Sequence, residues 1–243
     1  MMVNEKSVNV KGLSWPELFR GTLVKRYKRF LADVQLDKGG MVTAHCPNSG
    51  TMRACSEPGR PVYLSFHDNP KRKLTYTWEI IHMPDSLVGV NTLVPNRLVK
   101  MAVEADLVKA LKGYARVSAE VKTSDGSRLD LLLEKEDGRN CFVEIKNCTL
   151  VEGRVARFPD AVTTRGRKHL EELQRLVREG NRGVMVFLVQ RMDADSFRPA
   201  DEIDPAYGEE LRKAHQNGVE ILVYDVFINL HTICLNRALP FIL

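Results

Sequence analysis

The sequence predicts an α/β protein, α+β overall, built as a small β-barrel followed by a mixed-sheet domain with helices on both faces. Two changes of pattern carry this reading. Between Leu23 and Val94 short β-prone runs alternate with turn formers, and after Pro95 apolar residues recur at helical spacing before strand-like and helix-like stretches take turns. The chain's 243 residues, 44% of them hydrophobic, are enough for two cores. The seam falls near Pro95, giving domains of residues 1–92 and 93–243.

In the first domain the strand candidates are Leu23 to Leu36, Met41 to His45, Pro61 to Phe66, Leu74 to Met83 and Leu87 to Val90. Asp37-Lys38-Gly39-Gly40 reads as a hairpin connection; Glu57-Pro58-Gly59-Arg60 and His67-Asp68-Asn69-Pro70 read as longer loops. So many short strands in so little chain suggest an OB-like barrel, a fold that commonly binds nucleic acid or sugar on one face. A small sandwich is the alternative.

In the second domain Leu98, Met101, Ala102 and Ala105 share a helical face, so a helix runs from Asn96 to Leu111 and stops at Gly113. Three strands follow, Val117 to Val121, Arg128 to Leu133 and Cys141 to Lys146. Their connections contain Asp125-Gly126 and Asp137-Gly138, which signal tight turns. A helix from Ala161 to Glu179, a buried strand from Val184 to Gln190, a helix from Pro205 to Asn217 and a buried strand from Val219 to Val226 complete an αβββαβαβ order. A meander followed by right-handed crossovers gives a mixed sheet.

Composition narrows the function classes. Lys+Arg number 36 against 31 Asp+Glu, a formal charge of +5, which favours a polyanionic partner. Five cysteines, Cys46, Cys55, Cys141, Cys148 and Cys234, are odd in number and lack a Cys-x-x-Cys pair; this argues against a disulfide framework or a zinc ribbon and for a reducing, cytoplasmic setting. The segment from Met1 to Lys11 has no apolar stretch before a cleavage site, and no apolar run is long enough to span a bilayer.

The chemistry concentrates in one hairpin. Alternation puts Glu144 and Lys146 on one face with Phe142, and puts Asp130 opposite Leu129, Leu131 and Leu133. Asp130 and Glu144 lie symmetrically about the Asp137 turn, so the two carboxylates become neighbours across the strands. Their repulsion is relieved by a shared cation, and magnesium or manganese suits an all-oxygen site that keeps waters. Asp130, Glu144 and the Ile145 carbonyl would anchor the ion, and Lys146 would stabilise charge growing on a phosphate in transfer.

Basic segments supply a surface for that phosphate. Thr163-Thr164-Arg165-Gly166-Arg167-Lys168-His169 opens the second long helix, where cations oppose the macrodipole unless an anion is nearby; Arg165, Lys168 and His169 are therefore candidate nucleic-acid contacts. In the barrel Lys25, Arg26, Lys28 and Arg29 interleave with Tyr27 and Phe30, and Lys71, Arg72 and Lys73 form a second cluster.

Asp130 followed by Glu144-Ile145-Lys146 on a hairpin resembles the PD-(D/E)XK nuclease superfamily. That resemblance implies a restriction-endonuclease-like domain and a further acidic ligand from the first helix; Glu104 and Asp106 both qualify, and Glu104 is carried forward as the third metal ligand. More specifically, Arg26-Tyr27-Lys28-Arg29-Phe30-Leu31-Ala32-Asp33-Val34, His45-Cys46-Pro47-Asn48-Ser49-Gly50, Asp68-Asn69-Pro70-Lys71-Arg72-Lys73 and Thr164-Arg165-Gly166-Arg167-Lys168-His169-Leu170 resemble the sugar fermentation stimulation protein A family, from about Leu23 to the C-terminus. Asn91-Thr92-Leu93 and Asn96-Arg97-Leu98 extend the match, and Ser49 stands where that family more often has Thr. The resemblance implies an OB-like domain joined to a PD-(D/E)XK-like domain, DNA binding with little sequence preference, and a regulatory role in bacterial sugar metabolism, maltose in particular. It leaves open whether the nuclease core is catalytic or a scaffold; a sugar-binding role for the barrel is a third class.

Overall fold

The computed structural model describes residues 11–243 except 125 and 137. The expectation for the segment from Met1 to Lys11 therefore falls almost wholly outside the described residues, as do the aspartates of both Asp-Gly connections.

The first element among the described residues is a short strand, β1 (Gly12–Ser14). The barrel then forms from β2 (Leu18–Tyr27), β3 (Leu31–Leu36), β4 (Met41–His45), β5 (Pro61–Phe66) and β6 (Tyr76–His82), with β7 (Leu87–Gly89) paired outside β6. Neighbours run antiparallel, and a parallel contact of β4 with β6, Ala44 to Tyr76 and His45 to Thr77, closes the ring. Closure makes this an OB barrel, because a sandwich has no such pair. Leu23, Val34, Ala44, Leu64 and Trp78 fill its interior. The run from Leu23 to Leu36 is not one strand. The backbone turns left-handed at Lys28 (φ 48°) and Arg29 (φ 62°) and reverses between Tyr27 and Leu31. Positive φ suits the right-handed twist of a hairpin, and neither residue type announces it.

The second domain follows as α1 (Val94–Glu104), a 3-10 turn (Lys109–Leu111), β8 (Arg116–Ser124), β9 (Ser127–Glu134), β10 (Cys141–Cys148), β11 (Leu150–Glu152), β12 (Val155–Phe158), α2 (Thr164–Arg178), β13 (Arg182–Val189), β14 (Ser196–Pro199), α3 (Pro205–Gln216), β15 (Glu220–Ile228) and β16 (Thr232–Ala238). Seven strands form one sheet in the order β1-β16-β15-β13-β10-β9-β8, parallel in its β10-β13-β15 centre and antiparallel outside it. Leu98 and Val103 of α1 pack on one face with Val143 and Val186, and Leu173 of α2 and Leu211 of α3 pack on the other with Phe187 and Val223. This is the restriction-endonuclease-like mixed sheet that the element order predicts.

Three details depart from expectation. Helix α1 starts two residues early because Pro95, lacking an N–H, is harmless in a first turn, and it breaks after Glu104 instead of continuing to Leu111. Strands β11, β12 and β14, a small separate sheet, are too short to show a period. Strands β1 and β16 form one edge of the large sheet, so β1, which precedes the barrel in sequence, belongs to the second domain's sheet. Among the described residues no helix is long and apolar enough to cross a membrane, and all five cysteines are buried.

Candidate nuclease-like site

Strand β10 carries Val143 and Ile145 into the core beneath α1 and turns Glu144 and Lys146 toward α2. The β9–β10 ladder pairs Cys141 with Leu133 and Val143 with Leu131, a register that brings Asp130 level with Glu144. There the ladder stops. The Ile145 N–H donates to Asp130 Oδ2 (2.7 Å) instead of to a backbone carbonyl, and Asn96 Nδ2 of α1 donates to Asp130 Oδ1 (2.7 Å). Along β9 the buried Leu129, Leu131 and Leu133 alternate with the less buried Arg128, Asp130 and Leu132; Leu131 and Leu133 join the cluster of α1, and Leu129 that of α2.

Glu144 is 2% exposed. Its Oε1 accepts from Lys146 Nζ (2.6 Å) and is in contact with His169 Nδ1, while its Oε2 is buried with no partner. Burial pushes the Glu144 carboxyl up, but His169 and Lys146 outweigh it and hold the group below the ordinary range. At Asp130 burial first, and then the Glu144 charge, raise the group to about 6. The Ile145 N–H, Lys146 and Asn96 also draw it down, but they do not outweigh the opposing causes.

These groups line a cleft of about 590 Å3 shared by the two domains. Arg29, Asn48, Ser49 and Gly50 of the barrel face Arg157, Asp160, Arg165 and His169 across it. The barrel side is clamped. Arg26 donates to the carbonyls of Asn48 (2.8 Å), Gly50 (2.8 Å) and Thr51 (3.1 Å), while Asp160 Oδ2 accepts from the Met52 N–H (3.0 Å) and Asp160 O from Thr51 Oγ1 (2.8 Å). A Cβ on Gly50 would stand 2.3 Å from Asp160 Oδ2, so the approach requires glycine.

The remaining sequence-predicted residues divide. Arg29 and Arg165 reach the cleft. Lys168 is exposed on α2, and His169 is buried against Glu144 instead of facing solvent. Arg26 is occupied by its loop. Lys25 lies over the Tyr27 ring (5.1 Å) and pairs with Asp33 (3.6 Å), and Lys28 is exposed on the hairpin turn. Lys71 and Lys73 are exposed on the loop between β5 and β6, whereas Arg72 turns back to Thr77 Oγ1 (2.9 Å). Glu104 is not brought to the site. It pairs with Lys100 on the surface, about 12 Å along α1 from Asn96 at 1.5 Å per residue.

Asn96 and Glu120 are among the cleft residues that escaped the sequence reading. Asn96 carries no signal beyond its place in the first turn of α1. Glu120 does carry one, since it lies symmetrically to Asp130 about the Asp125-Gly126 connection; it lines the cleft with a left-handed backbone (φ 57°) and pairs with Arg128 (3.1 Å). Among the described residues no three His, Cys, Asp or Glu side chains stand close enough to cage an ion alone. A hard cation that retains water and phosphate oxygens needs only one or two protein carboxylates, so the Asp130–Glu144 pair and the free Oε2 fit it.

The chain matches the family model described as the sugar fermentation stimulation protein RE domain over residues 93–232, and the one described as the SfsA N-terminal OB domain over residues 24–90. A sugar fermentation stimulation protein homolog of Geobacter sulfurreducens is 54% identical over 223 residues, 92% of this chain and 95% of that protein. Its counterpart in Geobacter metallireducens is 55% identical over 227 residues, 93% of this chain and 97% of that protein. The solved structure of Pyrococcus furiosus SfsA in complex with Ca2+ has a TM-score of 0.88 at 28% identity, covering 96% of this chain and 99% of that one. With both domains matched in order and curated relatives similar along nearly their whole length, the chain belongs to the sugar fermentation stimulation protein family.

Proposed function

We propose that this protein binds DNA with little sequence preference in the cleft between its barrel and its second domain, and that Asp130, Glu144 and Lys146 form a magnesium- or manganese-dependent phosphodiesterase site there. The observation that carries the reading is the buried carboxylate of Glu144, with one oxygen unpartnered, beside an Asp130 whose ionisation it opposes. Such a pair is costly unless a cation is shared. The Pyrococcus relative was solved with Ca2+, which has the same preference for oxygen ligands.

Bound divalent metal supplies Lewis-acid polarisation of a phosphoryl oxygen and an acidified water. Asp130 and Glu144 hold it, and the Ile145 N–H and Asn96 amide fix the Asp130 carboxylate in one orientation. Lys146, 2.6 Å from Glu144, offsets negative charge growing on the phosphate oxygens. Arg29 and Arg165 on opposite walls contact the backbone of the strand. On this reading the family's tie to sugar metabolism, maltose in particular, runs through DNA, and an odd set of buried cysteines with no Cys-x-x-Cys pair suits the reducing cytoplasm.

One observation favours a second reading. Helix α1 offers Asp130 the amide of Asn96 and no carboxylate, which fits a DNA-binding regulator that keeps the nuclease core as a scaffold. Incubating single-stranded, double-stranded and branched DNA and RNA with Mg2+ or Mn2+ separates the two. Cleavage by the native chain that disappears in Glu144→Ala and Asp130→Ala is the expected result. Binding without cleavage on every substrate, weakened by charge reversal at Arg165 and Lys168, selects the scaffold.

A further inference from the structure

Away from the cleft a cluster of aromatic rings lies at one end of the barrel, with Tyr76 packed against the core. Phe19 on β2, Phe66 at the end of β5 and Tyr76 at the start of β6 meet edge to face, with centroids 6.2 Å (Phe19–Phe66), 5.7 Å (Phe19–Tyr76) and 5.3 Å (Phe66–Tyr76) apart. Trp78, two residues further along β6, is wholly enclosed; Phe66 is 44% exposed, and Phe19 and Tyr76 are half-buried. Core packing accounts for Tyr76 but not for the exposed face of Phe66.

Their surroundings are cationic. Lys38 Nζ lies 5.9 Å from the centre of the Phe19 ring. The loop that joins Phe66 to Tyr76 carries Lys71 and Lys73, both exposed and without a carboxylate partner among the described residues. That loop is braced at its base by the His67 N–H to Thr75 carbonyl bond (2.8 Å) and at its tip by the Lys71 N–H to Asn69 Oδ1 bond (3.0 Å).

A partly exposed ring cluster with Lys38 beside one ring and Lys71 and Lys73 on the adjoining loop complements a ligand that has flat apolar faces along a regularly charged backbone. We infer that Phe19, Phe66 and Tyr76 form a base-stacking platform for single-stranded nucleic acid, with Lys38, Lys71 and Lys73 on its phosphates. A duplex offers such faces only at its ends, because its bases already stack on one another; an acidic peptide would engage the lysines but leave the rings unused. The inference deepens the DNA-binding reading above and rests on it for the class of ligand, while selecting the unpaired strand.

The test is fluorescence anisotropy of a labelled oligothymidylate with the full chain in EDTA, which silences any metal chemistry in the cleft. Phe66→Ala is expected to weaken binding about tenfold, Phe66→Trp to restore it, and Phe66→Ala to leave an abasic strand and a blunt duplex unaffected. Lys71→Glu with Lys73→Glu should flatten the salt dependence of binding. Oligothymidylate affinity within twofold of native in Phe66→Ala, with the far-UV spectrum unchanged, overturns the platform, and so does an equal loss on the abasic strand. Loss of cleavage in Glu144→Ala bears only on the cleft, so the two readings fail separately.

Discussion

Arg191 and Asp193 form a buried ion pair, 2.6 Å apart and 5% and 8% exposed, in a segment where the domains touch. Arg191 also donates to the Thr149 carbonyl (2.9 Å) and reaches the Ala54 carbonyl on the barrel side (3.4 Å). Removing one member of such a pair leaves an uncompensated charge out of water, so Asp193→Ala is expected to lower stability by about 3 kcal/mol in urea titration, more than Arg191→Met combined with Asp193→Leu. Equal losses in the two variants would contradict this. The thiols give a second prediction at the same scale. Burial pushes Cys55 and Cys148 up to about 12, so neither presents a thiolate at neutral pH. A thiol reagent should label them only under denaturing conditions, and rapid labelling of the folded chain would show that these sites open. What the sequence made legible here followed from periodicity: Asp130, Glu144 and Lys146 stand where alternation and the hairpin turn put them. Asn96 and the clamp role of Arg26 were not legible, because each depends on a partner far along the chain.

Helix α2 delivers Arg165 and His169 to the cleft, and its position depends on α3. Thr163 caps α2 by accepting from the Gly166 N–H (3.0 Å), and its own N–H donates to Asp204 Oδ2 (2.8 Å). The other Asp204 oxygen caps α3 at the Tyr207 N–H (3.0 Å). One buried carboxylate thus ties two helix starts together, and Asp204→Ala should cost about 2 kcal/mol, a lost cap plus an unsatisfied N–H, with a matching loss of nucleic-acid affinity through Arg165. Unchanged stability would sink this account. At the middle of α2, Glu172 is drawn down to about 2, chiefly by Arg175 and also by Thr123 and Ser124 of β8. A depressed carboxylate contributes stability that is full above its unfolded value and disappears as pH falls through the folded one. The window is therefore pH 4.5 down to about 2. Thermal melts across it should show a loss of about 1–2 kcal/mol, discounted for the partly exposed Arg175, and Glu172→Gln should flatten that slope. Long periodic elements such as α2, β10 and β13 were readable. Strands β1, β11, β12 and β14 have three or four residues each, too few to show a period.

Across the whole molecule the domains are joined by shared core and by crossed chain ends. Tyr63 and Ile80 of the barrel pack in the same cluster as α1 and the large sheet. The Gly89 N–H donates to the Gln190 carbonyl (2.9 Å), and Gln190 Nε2 donates to the Asn91 carbonyl (3.1 Å). Strand β1 ties the front of the chain to β16, where a Cβ on Gly12 would meet Cys234 Sγ at 2.3 Å, and Trp15 donates from its indole to the Asn229 carbonyl (2.9 Å). Two units with so many common contacts should unfold as one. The two tryptophans report on different places, Trp78 inside the barrel and Trp15 against the last strands of the sheet. With Trp15→Phe and Trp78→Phe made separately, the single-tryptophan urea transitions are expected to share one midpoint after correction for each substitution, and to match the far-UV signal. A barrel transition distinct from the sheet transition would mean that the cleft between them is a joint of independent bodies, and Arg29 and Arg165 could then close on a strand by domain motion instead of meeting it in a preformed groove.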